Sequence, residues 1–344
     1  MVTVALIIVS AFLSAATAAV ASPNGDSKIL EKCSSNEDCA AGLYCGSCHV
    51  DFQGSRCLRS TSTNTFKLLN NSMPFNKYSY LTTHNSFAII RGKNHTRVPR
   101  VTFFNQEDSI TQQLYVPAIK ALKEIEVFLS ANPSEIVTLI LEDYVEAPNG
   151  LSRIFKASGL MKYWFPVSSM PQDSQDWPLV KHMIAKNHRL IVFTSQRHKQ
   201  ESEGIAYQWN YMVENQYGND GMVDGICPKR AESAPLNEKS KTLVLVNHFR
   251  SIPIKKVTCK DNSEDLMNML GTCYGVAGNR WANFVAVDYY KRSEGGGSFQ
   301  AVDMLNGKQL CGCDDVHSCV VRLFISAWLL HYMKAQKESN KFKA

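Results

Sequence analysis

The sequence predicts an α/β fold in which buried parallel strands alternate with helices, and it favours a TIM-type barrel over an open doubly wound sheet. Residues 137–141 and 190–193 are continuously apolar, which is typical of parallel strands covered on both faces. Helical patterns separate the strand-like runs. No strand is followed by a Gly-rich nucleotide loop, since residues 295–297 lack the Lys and Ser/Thr partners of a phosphate-binding loop.

Composition fits one large domain with a small appendage. The 344 residues are 44% hydrophobic, which is enough for a full-sized core. The net charge of +6 is mild and the basic residues are scattered, so we predict no nucleic-acid partner. Weak attraction to anionic lipid or wall polymer stays open.

Residues 1–21 have the pattern of a signal peptide. They are apolar and end in Ala19-Val20-Ala21, the small-x-small form of a cleavage site, although no Lys or Arg precedes the apolar run. A membrane anchor is the alternative, but the Ala/Ser-rich second half would make a poor spanning helix. We therefore expect a secreted, extracellular protein, of the cell wall or apoplast for example.

Residues 22–60 form a Cys-rich segment that is too polar to hold a core of its own, so we expect disulfides to stabilise it. A zinc site is the alternative because Cys45-x-x-Cys48 has ligand spacing, but no second pair completes the set nearby. Eleven cysteines leave at least one unpaired or paired elsewhere. The cysteines of this segment are Cys33, Cys39, Cys45, Cys48 and Cys57, and the later ones, expected to act as further staples, are Cys227, Cys259, Cys273, Cys311, Cys313 and Cys319.

The large domain extends over residues 61–310. Strands are predicted at residues 78–84, 135–143, 189–194, 242–249 and 283–290. The clearest helix is residues 117–130, because it has Pro in its first turn, one apolar face and the breaker Asn132-Pro133 after it.

Polar side chains follow the predicted strands, where the active site of a barrel lies. Any one of them could be a capping or solvated residue, but together they suit a hydrolase acting on a charged, polyhydroxylic substrate. His84 is the candidate for proton transfer, because imidazole titrates near neutral pH. These residues are His84, Asn85, Glu142, Asp143, Ser195, Asn247, His248 and Asp288.

Four motifs resemble those of the phosphatidylinositol-specific phospholipase C-like phosphodiesterases (X-region), and specifically the secreted plant-type members with a Cys-rich N-terminal segment. Residues 70–87 read NNSMPFNKYSYLTTHNSF, residues 135–144 EIVTLILEDY, residues 204–211 GIAYQWNY and residues 278–284 GNRWANF. The resemblance implies a distorted TIM-type barrel and a role in lipid metabolism. It also implies that a phosphoinositide-type or other phosphodiester is cleaved by attack of a neighbouring hydroxyl.

The resemblance assigns roles to three residues. His84 matches the general base of the family. Asn85 and Glu142 match positions that bind Ca²⁺ in calcium-dependent members, so the resemblance allows calcium as a cofactor. The cation or Arg that must neutralise the phosphate charge and the substrate-binding residues stay unassigned. Asn70 and Asn94 lie in glycosylation sequons.

Two departures from the family pattern leave two functions open. After Gln113 the family has two further strands and the second catalytic His, the general acid, but here Leu114 leads directly into the next helix, so roughly 35 residues are absent, about one βαβ unit. The barrel is therefore expected to be incomplete, and residues 311–344 also diverge. His248 is the only other imidazole predicted on the rim. It belongs to a different strand end from the family's general acid, so we do not expect it to replace that residue. The chain is either a secreted phosphoric diester hydrolase with impaired activity or a catalytically inactive binding or wall-associated member.

Overall fold

The computed structural model of the protein describes residues 4–10, 25–29, 31–47, 54–59, 63–68, 71–86, 118–293 and 297–319, and for residues 4–10, 66 and 67 only the backbone. Several predicted features lie outside these residues: the second half of the leader, Cys48, Asn70 and Asn94, the junction at Leu114, and the tail beyond residue 319. Among the described residues, no helix has the length and apolar character needed to cross a bilayer.

The described strands form two sheets. The strands are β1 (Val4–Ser10), β2 (Lys32–Cys33), β3 (Leu43–Gly46), β4 (Ser55–Arg59), β5 (Tyr80–Thr83), β6 (Val137–Asp143), β7 (Leu190–Thr194), β8 (Ala206–Tyr207), β9 (Met212–Glu214), β10 (Leu243–His248) and β11 (Phe284–Val287). The large sheet has the order β8-β7-β6-β1-β5-β11-β10-β9, and the small one β2-β4-β3.

The helices lie mainly between the strands of the large sheet. They are α1 (Thr65–Leu68), α2 (Ala118–Ala131), α3 (Gly150–Ser158), α4 (Val180–Ala185), α5 (Lys199–Glu203), α6 (Thr258–Lys260), α7 (Leu266–Val276) and α8 (Gly297–Cys311). A π-helical turn covers Asp261–Asp265, and 3₁₀ turns cover Asn36–Asp38, Phe75–Lys77, Leu160–Tyr163, Val167–Ser169, Gln208–Asn210 and Asn219–Gly221.

The predicted α/β class is confirmed. All five predicted strands are present, each shorter than predicted by one to four residues, and the predicted helix is α2. The strands β5, β11, β10 and β9 pair in parallel, and so do β6, β7 and β8. The large sheet is mixed because β1 is antiparallel to both of its neighbours. Closure of the sheet into a barrel stays a prediction.

Both faces of the β6–β7 region are buried, which explains why these runs are continuously apolar. Leu139 and Val192 pack with residues of α2 and α3, whereas Ile140, Ile191 and Phe193 belong to a second apolar cluster with the rest of the sheet. Successive side chains of a strand point to opposite faces, so a strand covered on both sides needs apolar residues at every position.

Strand β1 occupies the place in the sheet where the missing unit was predicted. It pairs with β6 along its whole length, from Val4 opposite Asp143 to Ser10 opposite Val137. On its other side, Ile8 and Val9 pair with Thr83 and Thr82 of β5. The first half of the predicted leader therefore separates the His84-bearing strand from the Glu142-bearing strand. Signal-peptide cleavage stays a prediction.

The Cys-rich segment is stabilised by disulfides, as predicted. Cys33 bonds to Cys45 and Cys39 to Cys57, so these sulfurs are not available to zinc. Of the later cysteines, Cys227 bonds to Cys273 and Cys311 to Cys319, and Cys259 is also disulfide-bonded. The prediction for Cys313 is wrong: it is a buried free thiol, so it is not a staple.

Arg59 connects the Cys-rich segment to the large domain. Its guanidinium lies 2.7 Å from Asp303 in α8 and 2.9 Å from Asp315. Asp303 is almost fully buried, so its carboxylate needs this partner. The small sheet is thus held against α8 and the segment that follows it by charge-assisted hydrogen bonds.

Candidate active site

A cavity of about 80 Å³ opens at the carboxyl ends of the strands of the large sheet. Five of the eight residues predicted on the rim line this cavity, namely His84, Asn85, Glu142, Ser195 and Asn247. Six further residues that sequence reasoning did not select also line it: Ile140, Gln208, Glu214, Tyr217, Arg230 and Phe249.

The parallel register of β5 and β11 brings His84 next to Asp288. Thr83 is opposite Val287, so His84 and Asp288, the next residue of each chain segment, leave the sheet at the same level. The backbone amide of His84 donates to the Val287 carbonyl at 3.0 Å. His84 Nδ1 lies 2.9 Å from Asp288 Oδ1. Because a carboxylate accepts, Nδ1 carries the proton and the lone pair that can act as a base is on Nε2.

A second contact fixes the plane of the His84 ring. Phe249, the residue after β10, stacks on the imidazole with a centroid distance of 3.6 Å and an interplanar angle of 5°. The turn that carries Asp288 is itself held by buried Asn262, whose amide donates to the carbonyls of Asp288 and Tyr289. Position, tautomer and orientation of the imidazole are therefore set by three different elements.

Glu142 and Asp143 separate because neighbouring strand residues point to opposite faces. Glu142 lines the cavity with its side chain 39% exposed. Asp143 is buried away from the cavity, where Lys199 lies 2.8 Å from it and the Thr194 hydroxyl donates to it at 2.7 Å. Asp143 is thus a buried structural ion pair, and its inclusion among the rim residues was wrong.

Asn247 and His248 separate in the same way. Asn247 lines the cavity, whereas His248 is buried beside a different cavity. His248 Nε2 donates to the Asp261 carbonyl at 2.7 Å, and burial lowers the pKa of His248 to about 4. A neutral imidazole on the far side of β10 cannot protonate a group bound next to His84.

Arg230 is a cation at the cavity that sequence reasoning did not select. Its guanidinium lies 3.2 Å from Glu214, 3.0 Å from Glu232 and 3.9 Å from Glu142, and the rings of Trp209 and Tyr217 lie within stacking range. Burial tends to lower the pKa of Arg230, but Glu214 and Glu232 outweigh it, so the pKa lies above its ordinary value. Arg230 is therefore a permanent, oriented positive charge.

Glu214 is the buried anchor of this group. It accepts hydrogen bonds from Gln208, Trp209, Asn247 and Arg230, at 2.9 to 3.2 Å. Burial raises the pKa of Glu214, and Arg230 together with the other donors opposes that rise. Four donors saturate both oxygens, so Glu214 positions Arg230 and Asn247 and has little capacity left for a substrate.

Sequence reasoning missed Arg230 because it does not follow a strand directly. It lies in the long connection between β9 and β10, where its amide donates to the Glu214 carbonyl at 3.0 Å and folds the loop back over the strand end. A rule that looks only at strand ends cannot find such a residue. The signal that was available is the motif at residues 204–211, which contains two of the Glu214 partners.

Calcium fits this cavity poorly. About six to eight oxygen ligands are usual for Ca²⁺. Here Glu214 is saturated, and the positive Arg230 lies beside Glu142. In the part of the chain that the structure describes, no group of three acidic, imidazole or thiol ligands includes Glu142. We therefore assign no step to a metal at Asn85 and Glu142.

Comparison with known proteins identifies the family of the chain. The PI-PLC X family model matches residues 88–306, so the match begins just after His84. A PI-PLC X domain-containing protein of Arabidopsis thaliana is 46% identical over 330 residues, which covers 86% of this chain and 77% of the relative. No solved structure is significantly similar to the chain.

The alignment with this relative also contains positions at which this chain has no residue. Its 330 positions include 86% of the 344 residues of this chain, about 296, so roughly 34 positions of the relative have no counterpart here. The family model covers more than half of the chain, and the relative shares nearly half of its aligned residues. The chain belongs to the PI-PLC X domain family.

Proposed function

We propose that the chain is a secreted phosphoric diester hydrolase of the phosphatidylinositol phospholipase C type, acting in lipid metabolism, with activity limited by the lack of a general acid. The observation that carries the proposal is the placement of the His84–Asp288 pair and Arg230 around one cavity. Base and cation are the two groups that attack on a phosphodiester needs first.

The first half of the reaction uses groups that are present. His84 Nε2 removes the proton from a substrate hydroxyl next to the phosphate ester, and the resulting oxygen forms a bond to phosphorus. Asp288 stabilises the imidazolium that forms, as a carboxylate partner does for other catalytic histidines. Arg230 stabilises the negative charge that develops on the phosphoryl oxygens.

The second half needs a proton donor, and the described lining of the cavity offers no imidazole for it. The bond from phosphorus to the leaving oxygen breaks, which yields a cyclic phosphodiester and an alkoxide. The leaving oxygen departs roughly in line with, and opposite to, the attacking oxygen, so His84 cannot reach it. Among the described residues that line the cavity, no second imidazole is present. An alkoxide must then take its proton from water, which slows the reaction by roughly 10²–10⁴-fold.

The leaving group therefore tests the proposal. Nitrophenolate departs without protonation, so we expect the nitrophenyl diester of inositol phosphate to be cleaved and the corresponding alkyl diester to react near background. His84→Ala should lower kcat for the nitrophenyl diester by roughly 10²–10⁴-fold. Equal rates for the two diesters, or an active His84→Ala variant, would show that the catalytic groups are different ones.

The alternative is an inactive binding protein. The missing acid favours it, because the same cavity could hold an inositol phosphate without cleaving it. Saturable binding of inositol phosphate, combined with no turnover of the nitrophenyl diester, would identify this function instead.

We also propose that the large sheet closes into a distorted barrel. The two end strands β8 and β9 are joined by Gln208–Asn210 and Tyr211 alone, so the ends of the sheet lie close in sequence. Glu214 of β9 accepts hydrogen bonds from Gln208 and Trp209, which follow β8. These contacts support a closed sheet around the cavity.

A further inference from the structure

A second and larger cavity lies on the other face of β10 from the candidate active site. Its volume is about 150 Å³, against about 80 Å³ for the candidate active site. A cavity holds a water molecule from about 10–15 Å³ upward, so this one has room for a small organic molecule. Its walls come from the end of β10, the connection after β9, the π-helical turn Asp261–Asp265 and α7. None of the groups proposed for phosphodiester cleavage lines it.

Three carboxylates and one guanidinium line this second cavity. Asp261 is neutralised, because Arg250 donates to both of its oxygens at 2.8 and 2.7 Å. Asp224 and Asp265 have no hydrogen-bond donor and no ion-pair partner within 4.0 Å in the part of the chain that the structure describes. Burial raises the pKa of Asp265, and the neighbouring Asp224 and Asp261 add to that rise. The cavity therefore holds negative charge that the described chain does not neutralise.

His248 carries an unsatisfied acceptor beside these carboxylates. It lines the cavity and is only 2% exposed. Nε2 donates to the Asp261 carbonyl, so the lone pair of the ring is on Nδ1, which has no hydrogen-bond partner among the described residues. Because burial lowers the pKa of His248 to about 4, the ring is neutral and this lone pair is available at physiological pH. Buried acceptors are nearly always satisfied, so an orphaned one in a cavity wall indicates a bound donor.

The lining rules out several classes of ligand. Its unpaired carboxylates repel anions. No three of its carboxylate and imidazole ligand atoms lie within 4.8 Å of one another, so these described residues do not form the closed ligand set of a bound metal ion. A quaternary ammonium needs an aromatic cage, and no Phe, Tyr or Trp is among the described residues of the lining. A cation with N–H groups satisfies both the charge and the acceptors.

Two methionines give the cavity an apolar wall. Met269 of α7 is buried and Met222 is partly buried. Flexible thioether side chains adapt to irregular apolar ligands. A short methylene chain suits these side chains, whereas the carboxylates and the imidazole suit N–H donors at its ends.

We propose that the second cavity binds a small organic dication, in which primary ammonium groups donate to Asp224, Asp265 and His248 Nδ1 and a methylene chain contacts Met222 and Met269. Two charges are expected because three carboxylates are present and only one guanidinium. The site is separate from the proposed hydrolase, so either proposal can fail without the other.

Calorimetry with three probes of equal size tests the charge of the ligand. Putrescine, n-pentylamine and 1,4-butanediol each have six non-hydrogen atoms but carry two, one and no positive charges. We expect saturable binding of putrescine, at least tenfold weaker binding of n-pentylamine and no binding of the diol. Putrescine at a hundred times its Kd should raise the Tm of the native chain by about 5 °C.

Matched variants locate the site. Asp224→Asn and Asp265→Asn keep the shape of the side chain and should each weaken putrescine binding at least tenfold. Asp220→Asn and Glu264→Gln remove the same charge from exposed neighbours outside the lining and should bind like the native chain. In the native chain, putrescine should also shift the ¹⁵N resonance of His248 Nδ1, because the lone pair then accepts a hydrogen bond.

Four results would overturn the proposal. The first is no binding of putrescine, and the second is equal binding of n-pentylamine. Equal losses in the control variants would show general electrostatic attraction, and an unmoved Nδ1 resonance would place the diamine elsewhere. Displacement of putrescine by equimolar calcium chloride would identify a metal site instead.

Discussion

His84 and Asp288 are adjacent in space because the two parallel strands that carry them end at the same level. Their side chains meet at 2.9 Å between Nδ1 and Oδ1, although 204 residues separate them in sequence. The contact fixes the tautomer of His84. Substitution of Asp288 can therefore test the proposed role of the pair separately from substitution of His84.

Asp288→Asn should lower kcat for the nitrophenyl diester at least about tenfold with little change in KM, because the amide leaves the imidazolium without its counter-charge. Steady-state kinetics measure both constants. Asp173→Asn makes the same chemical change at an exposed position outside the cavity and should be neutral. Unchanged kcat in Asp288→Asn would mean that the pair only supports the fold.

Arg230→Gln should lower kcat/KM roughly 10²–10³-fold and also destabilise the protein, because Glu214 then stays buried with less positive charge nearby. Adding Glu214→Gln should restore most of the stability but not the activity. Urea unfolding and kinetics of the single and double variants separate the two effects. Recovery of activity in the double variant would assign Arg230 a structural role only.

Removal of residues 1–21 should destabilise the chain, because β1 is the strand between β5 and β6. Secreted protein that begins near Ser22 would expose the edges of both neighbours. Hydrogen exchange should then speed up at Thr82, Leu139 and Leu141, but not at Val246 in β10. Reinsertion of a strand–helix–strand unit after Leu114 should restore protection and, if it carries an imidazole, raise alkyl diester cleavage.

Equal exchange at Thr82 with and without residues 1–21 would show that β1 contributes nothing to the sheet. Equal alkyl diester cleavage by the native and the reinserted chain would show that the missing acid is not what limits the rate.

Glu135 should make stability depend on pH around neutrality. Burial raises the pKa of Glu135 to about 7, against the opposing effects of Asn64 and Arg189. The folded state therefore binds the proton more tightly than the unfolded state. The resulting stability is fully present below the unfolded-state pKa and is lost as pH rises through about 7.

Glu135→Gln keeps the shape and removes the titration. Compared with the native chain, we expect it to gain stability as pH rises, by up to about 3 kcal/mol above neutrality. Urea unfolding at acidic and alkaline pH measures the difference, with the exposed Glu201→Gln as control. A difference that does not grow with pH would show that Glu135 titrates normally in the folded protein.

The sequence was enough to predict the α/β class, five strands, helix α2 and the disulfide-bonded N-terminal segment, and to select His84 as the candidate base. These follow from local signals: continuous apolar runs, helical periodicity, cysteine spacing and polar residues at strand ends. The same signals put Asp143 and His248 on the rim with Glu142 and Asn247, because a strand-end rule does not give the direction of a side chain. Only the pleat of the folded strand separates the members of each pair.

The surroundings of His84 could not be predicted from local patterns. Asp288, Phe249 and Arg230 come from three distant parts of the chain, and the pairing of strands that brings them together is non-local. The same holds for β1, whose apolar residues indicate a leader when considered alone but pair with β5 and β6 in the fold. An apolar segment can satisfy its backbone in a membrane, a translocation channel or the gap of an incomplete sheet, and only the presence of unpaired neighbours selects the last of these.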